Sequence, residues 1–278
     1  MLDAGGFNEP DYQWGHASSP VIHNGVVFVQ CDIQKGSFAA AYDVRDGSEV
    51  WRTDRDEVPS WATPTIQDAA DGPVLITVAP GFARAYDART GEERWRLARH
   101  SAITIPTPFV AHDVIFLTSG YQPIQPIYAI RTDAQGDISL SDAHTTSNDS
   151  VVWSTRRGGP YMSTPLVYGD ALYVCDSRGI LSCYEALTGR RVYRKRVGVA
   201  GGGSFTASLV AADGRIFLTS DRGGVVVVKA GSEFEQISTN NLGDFCLATP
   251  AIAGGRLIAR TRKYVVAIGS RDLPDRCP

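Results

Sequence analysis

Apolar positions along this chain fall in short runs rather than in one periodic stripe. Val26–Val29, Val74–Val78, Val114–Leu117, Leu172–Val174, Arg215–Leu218 and Arg256–Ala259 are rich in β-branched and aromatic residues. Turn signals such as Asn24-Gly25, Gly169-Asp170, Asp213-Gly214 and Gly254-Gly255 precede them. A second turn leads to another run, at Phe38–Tyr42, Ala83–Tyr86, Ile127–Ile130, Ile180–Tyr184, Val225–Val228 and Tyr264–Ile268. Such runs, bounded by Gly, Asp and Asn, predict strands. No window carries the 3.6-residue spacing of an amphipathic helix.

The runs recur at a fixed interval. A Ser/Thr-Pro pair followed by a short apolar run stands at Ser19-Pro20, Thr63-Pro64, Thr107-Pro108, Thr164-Pro165 and Thr249-Pro250, with Ala207-Ser208 in the remaining slot. The steps between them are 44, 44, 57, 43 and 42 residues. The long step contains a polar insertion, Asp133–Ser150. Four strands in about 42 residues is the unit of a β-propeller blade. One such sheet has two apolar faces and cannot bury both alone, so neighbouring copies must cover them. The prediction is an all-β propeller of four-stranded antiparallel blades, with about six repeats starting near 19, 63, 107, 164, 207 and 249. Residues 1–17 form an N-terminal loop segment, 18–270 the repeats and 271–278 a tail.

A sharper pattern marks the end of several units. Ala41-Tyr42-Asp43, Gly47 and Trp51 recur as Ala85-Tyr86-Asp87, Gly91 and Trp95, and in degenerate form as Cys183-Tyr184-Glu185, Gly189 and Tyr193. In all three the first residue and the closing aromatic are 10 positions apart. The third unit is stretched, from Ala129 to Trp153, and the fifth retains only Ala230-Gly231. The glycine supplies positive φ to a tight turn, the aspartate bonds amides of that turn, and the aromatic packs against the next unit.

This A-x-D-x-x-T-G-x-x-x-W pattern resembles the tryptophan-docking repeat of the pyrroloquinoline-quinone (PQQ) propellers, over roughly residues 18–269. That superfamily holds both quinoprotein dehydrogenases and BamB-like binding proteins. Its propellers usually have eight blades. The resemblance therefore implies that this chain is part of an eight-bladed parent, lacking the N-terminal blades; the rival reading is a six-bladed ring closed by residues 1–17. It also implies a non-catalytic scaffold that binds protein or an extended peptide, periplasmic or secreted, in a membrane-associated complex by analogy, with no cofactor. The alternative it implies is a PQQ-dependent oxidoreductase with calcium, or an inactive quinone-binding descendant. Quinoproteins of this kind use adjacent cysteines over the quinone, and this chain has none.

Composition narrows the choice further. There are 27 Lys and Arg against 30 Asp and Glu, a formal net charge of −3, which gives no overall electrostatic case for nucleic acid. No apolar run reaches the roughly 20 residues of a membrane helix, and Met1–Pro10 shows no signal-peptide pattern. Cys31, Cys175, Cys183, Cys246 and Cys277 are scattered and lack C-x-x-C spacing. In the fourth unit a tight turn would set Cys175 opposite Ile180, leaving Cys183 too far away for a disulfide. The five histidines show no paired metal spacing, and no metal site is predicted. Arg190, Arg191, Arg194, Lys195 and Arg196 cluster on a predicted outer strand, as a solvated face or a docking patch.

In a propeller, loops joining successive units share a face with the loops between second and third strands. The first set carries Trp14, His16, Trp61, Thr104, Tyr161, Met162, Phe205, Phe245 and Cys246. The second carries Asp32, Gln34, Phe82, Tyr121, Asp176, Arg178, Asp221, Arg222, Arg260 and Arg262. From these the expected ligand-binding mouth comprises Trp14, His16, Trp61, Tyr121, Tyr161, Asp176, Arg178, Phe205, Asp221, Arg222 and Arg262. Aromatics ringed by cations suit a planar anion or an extended peptide; the plainer reading is that the rings plug a channel. No catalytic residue is assigned.

Overall fold

The computed structural model describes residues 14–199 and 202–269, and all regular structure among them is β. Sheet 1 runs β1 (Val21–His23), β2 (Val26–Cys31), β3 (Ser37–Asp43), β4 (Glu49–Arg55). Sheet 2 runs β5 (Thr65–Gln67), β6 (Val74–Val78), β7 (Phe82–Asp87), β8 (Glu93–Ala98), with the short β12 (Gly136–Asp137) added outside β8. Sheet 3 runs β9 (Phe109–Ala111), β10 (Val114–Thr118), β11 (Ile127–Arg131), β13 (Val151–Thr155). Sheet 4 is β14 (Leu166–Tyr168), β15 (Ala171–Cys175), β16 (Ile180–Glu185), β17 (Arg191–Arg196). Sheet 5 is β18 (Val210–Ala212), β19 (Arg215–Thr219), β20 (Gly224–Lys229), β21 (Gln236–Asn241). Sheet 6 has three described strands, β22 (Ala251–Ala253), β23 (Arg256–Arg260) and β24 (Val265–Ile268). The chain divides into two compact units, one up to Tyr161 with sheets 1–3 and one from Met162 with sheets 4–6.

The apolar runs form strands because both of their faces are covered. Every residue of β6 and β10 is buried, so these strands read as continuous hydrophobic runs instead of alternating ones. Between sheets 2 and 3 lie Ile76, Ala85, Trp95, Leu117 and Ile130. Between sheets 1 and 2 lie Phe28, Ala41, Trp51, Leu75, Tyr86 and Ala88. In the second unit, Tyr173, Leu181, Tyr193, Ile216, Leu218 and Val226 fill the space between sheets 4 and 5.

One irregularity repeats at the same place in five sheets. The register of third and fourth strands slips between Ala41/Tyr42, Ala85/Tyr86, Ala129/Ile130, Cys183/Tyr184 and Val227/Val228. Each slip puts an extra residue in the fourth strand, and in four of the sheets it sets the next one opposite a small side chain: Trp51 pairs with Ala41, Trp95 with Ala85, Trp153 with Ala129 and Tyr193 with Cys183. A bulge re-aims the side chain that follows it. For Trp51 the new direction is toward sheet 2, where its Nε1 donates to the Ala88 carbonyl at 2.9 Å. Its ring lies over Gly91, where a Cβ would come within 2.5 Å of the indole. In sheet 5 the corresponding residue is Ser238, so this position carries no ring.

The turns before these bulges are closed as the motif predicts. Asp87 Oδ1 accepts from the Arg89 amide at 2.9 Å, and the Gly91 amide donates to the Asp87 carbonyl at 2.8 Å. Asp43 and Gly47 repeat this at 2.8 and 2.9 Å. Hydrogen bonds from the Arg45 side chain and amide hold the Asp43 carboxyl down to about 2. Gly47 and Gly91 have φ of 74° and 76°.

Two expectations need correction. The segment Asp133–Ser150 is not a purely polar insertion: Ala134, Ile138 and Leu140 are buried in the core between sheets 2 and 3. Its short strand β12 lies parallel to β8, a contact too brief and too irregular in sequence to show as a strand pattern. In sheet 4, Cys175 faces Leu181, not Ile180, because the turn is one residue longer; Cys183 faces Tyr173. Both sulfurs are free and buried, and burial pushes the Cys183 thiol up to about 11.

The docking contact separates two glycines that share a backbone conformation. Gly47→Ala meets open space and bears only the left-handed strain, on the order of 1 kcal/mol. Gly91→Ala drives a methyl into Trp51 as well and is expected to lose roughly 1–3 kcal/mol more. Urea denaturation of the two variants measures the difference; equal midpoints would refute a tight ring-on-glycine contact.

Candidate functional site: two loop clusters and a buried polar clasp

In the first unit the loops between sheets are tied to one another through Trp61. It is 7% exposed, its amide donates to the Thr104 carbonyl at 3.0 Å and its Nε1 donates to the Gly15 carbonyl at 2.9 Å. Trp14 stands edge-on to it with ring centroids 5.5 Å apart, yet is itself 64% exposed. His16, two residues on, is exposed. A second aromatic pair, Tyr121 and Tyr161, has centroids 5.2 Å apart. Tyr121 is 42% exposed, and burial followed by Tyr121 raises the Tyr161 phenol above its usual range. The two meet because Gly120 lets the backbone pass close to Pro160; a Cβ there would lie 2.1 Å from the Pro160 carbonyl carbon.

In the second unit the predicted residues hold loops in shape. Asp176 Oδ1 accepts from the amides of Arg178 (2.9 Å) and Ile180 (3.0 Å), and Oδ2 pairs with the Arg178 guanidinium at 2.8 Å. Phe205 is buried against Gly179, and its amide donates to the Ser177 carbonyl at 3.0 Å. Asp221 Oδ1 accepts from the Ser204 amide at 2.9 Å, and its carbonyl accepts from the Cys246 amide at 2.9 Å. Arg222 and Arg262 are exposed. Arg262 borders a cavity of about 380 Å³ with Phe245, Leu247, Ala248, Arg260 and Thr261. Trp14, Trp61, Tyr121 and Tyr161 thus lie in the first unit, and Asp176, Arg178, Phe205, Asp221, Arg222 and Arg262 in the second.

Sequence reasoning missed the strongest electrostatic feature of the first unit. Arg55 and Asp32, both side chains fully buried, make a two-point ion pair of 2.7 and 3.2 Å. Arg55 also donates to Thr77 Oγ1 at 2.8 Å and to the Tyr86 hydroxyl at 2.7 Å on sheet 2. Ser60 and Gln30 donate to Asp32 Oδ2 at 2.5 and 2.7 Å. Burial alone would lower the Arg55 guanidinium; Asp32 and then Tyr86 outweigh it and raise it further. Beside this set, Glu57 accepts from the amides of Gly81 (2.9 Å) and Phe82 (3.0 Å) and pairs with the buried Arg84. Burial pushes the Glu57 carboxyl up against the pull of Arg55 and Arg84. The charges satisfy one another and clasp sheet 1 to sheet 2, with none turned to solvent. The available signal was a polar or charged residue inside strongly apolar strands: the amide of Gln30 in β2 and the guanidinium of Arg84 in β7.

Among the described residues no three His, Cys, Asp or Glu are grouped to hold a metal ion. Trp61, an expected mouth residue, is committed beneath Trp14 to the Gly15 carbonyl.

Comparison with known proteins places this arrangement. The family model described as outer membrane protein assembly factor BamB matches residues 34–133 and 133–271. The chain belongs to the BamB family of PQQ-like repeat proteins. A curated BamB from Burkholderia pseudomallei is 30% identical over 113 residues, 40% of this chain but only 28% of that relative, so the match spans under a third of the relative's length. The crystal structure of BamB from Moraxella catarrhalis superposes with a TM-score of 0.64 at 16% identity, covering 92% of this chain and 72% of that one. Quinohemoprotein alcohol dehydrogenase from Comamonas testosteroni gives 0.59 at 14% identity, covering 82% of this chain and 43% of that one. These likenesses establish the all-β propeller fold of four-stranded blades, shared by binding proteins and enzymes alike.

Two measurements test the electrostatics. Asp32→Ala leaves Arg55 buried without its carboxylate and is expected to destabilise by about 3–5 kcal/mol in urea denaturation; a loss under 1 kcal/mol would show that the clasp is dispensable. His100 is buried against Tyr128, with Nε2 bonded to the Leu97 carbonyl at 3.1 Å. Desolvation lowers it from 6.5 to about 4. The unfolded chain binds this proton below 6.5 while the folded chain resists until about 4, so stability falls as pH drops through that window, by roughly 3 kcal/mol. His100→Phe should flatten the denaturation midpoint between pH 6.5 and 5, above the range where ordinary carboxylates titrate.

Proposed function

We propose that this chain is a non-catalytic scaffold that holds extended protein segments on its connecting loops. The observation that carries this reading is the pairing of BamB-family membership with solvent-exposed rings fixed on rigid loops: Trp14 braced by Trp61, and Tyr121 braced by Tyr161. Rings immobilised before binding lose little entropy when a partner arrives, which is why aromatics dominate binding hot spots. In the second unit, Arg178, Arg222 and Arg262 add exposed cations, and Phe245 and Leu247 add exposed apolar surface. Asp176, Phe205, Asp221, Trp61 and Tyr161 serve as supports that hold these groups in place.

The relatives carry the name outer membrane protein assembly factor. By analogy, the segments recognised are strands of outer-membrane proteins before they fold, and the compartment is the periplasm. No helix of the described residues is long and apolar enough to cross a membrane. A quinone-dependent oxidoreductase shares the fold and is the alternative reading.

An array of synthetic peptides spanning the strands of an outer-membrane β-barrel tests this. Aromatic-rich strands are expected to bind, and Trp14→Ala with Tyr121→Ala to weaken them by roughly tenfold. Retention of PQQ with calcium through gel filtration, or the absence of any peptide binding, would sink the scaffold reading.

A further inference from the structure

The fourth strand of each sheet is an edge, with one side of its backbone ladder unpaired unless something covers it. Sheet 2 shows what covers such an edge in this molecule. The segment containing Asp133 and Asp137 lays β12 parallel to β8, with Gly136 opposite Trp95 and Asp137 opposite Arg96. The Ile138 amide donates to the Arg96 carbonyl at 3.0 Å, and the Ala98 amide donates to Ser139 Oγ at 2.9 Å. An acidic extended segment thus completes an arginine-bearing edge.

Among the described residues, sheet 4 repeats the edge without the cover. Tyr193 of β17 occupies the place of Trp95, since both follow the register slip and face a small residue of the third strand. Counting from there, Arg194 corresponds to Arg96 and Arg196 to Ala98. Among the described residues β17 pairs only with β16. Arg191, Arg194, Lys195 and Arg196 are all exposed, and no carboxylate of the described residues forms an ion pair with any of them. Arg190 alone is matched, by Glu185. The other fourth-strand edges differ in charge: β4 mixes Glu49, Arg52 and Asp54, while β13 and β21 carry no charged residue. A uniformly cationic edge repels a second copy of itself and selects a partner of opposite sign.

We propose that β17 is a docking edge for an acidic extended peptide, which adds as a fifth strand and sets a carboxylate against Arg194. The Arg194 carbonyl and Arg196 amide take the backbone roles that the Arg96 carbonyl and Ala98 amide play in sheet 2. The surface is separate from the aromatic loops, so its failure would leave the loop reading standing.

The chain's own segment 133–142, with its three aspartates, serves as a labelled synthetic probe in fluorescence anisotropy with the full chain. The expected result is saturable binding that Arg194→Glu with Lys195→Glu weakens at least about tenfold. Arg215→Glu with Lys229→Glu, an equal charge change away from the edge, should leave binding within about threefold of wild type. A probe methylated on the amide nitrogen of the residue matching Ile138 should also lose affinity, because methylation removes a ladder donor and leaves charge intact. Circular dichroism checks that each variant is folded. Absence of binding at millimolar probe, equal binding by the edge variant, or equal binding of the methylated probe would each overturn the proposal; the last would mean charge attraction without strand addition.

Discussion

The contact that joins the first two sheets is a flat ring lying on a residue with no side chain. Trp51 reaches Gly91 only because a bulge turns it out of its own sheet, and it fits only because Gly91 offers no Cβ. Its indole nitrogen then finds the Ala88 carbonyl, so the buried polar atom is satisfied in the same step. Small residues opposite the ring, Ala41 here and Ala85 and Ala129 in the next sheets, leave it room. The motif is therefore one joint written at two places in the chain, the ring in one repeat and the glycine turn in the next.

Where the joint weakens, other contacts take over. Tyr193 stands in the fourth sheet in place of tryptophan and meets Phe234 edge-on at 5.7 Å. The fifth repeat lacks the turn motif, and between sheets 4 and 5 a cavity of about 430 Å³ opens, lined by Tyr168, Tyr173, Cys183 and Tyr184 among others. Between sheets 1 and 2 the ring contact is reinforced by the Arg55–Asp32 clasp. A buried ion pair of this kind adds little net stability compared with an apolar pair, but it penalises any packing that separates the two charges. The two contacts fix the same sheets by different means, one through shape and one through charge.

Much of the fold was legible because β-strands and tight turns are local. The order of the strands, the positive-φ glycines and the aromatic at the tenth position follow from residues close together in sequence. The candidate loops were legible as positions, but their roles were not. Trp14 and Trp61 look alike in the chain, yet one is exposed and the other is a buried strut, a difference made by Gly15 and Thr104. Asp176 and Asp221 look alike in the chain, yet Asp176 closes its own turn through the Arg178 amide while Asp221 ties its loop to the Ser204 amide 17 residues away.

The sequence by itself determined the repeat, its strand content and the turn motif with its closing aromatic, since periodic burial and backbone conformation are written within a single unit. The tertiary structure alone decided which charges vanish into the clasp, that the acidic insertion completes the edge of sheet 2, and that no strand among the described residues covers the basic edge of sheet 4. Those outcomes depend on residues tens of positions apart meeting in space, and no local pattern encodes that distance.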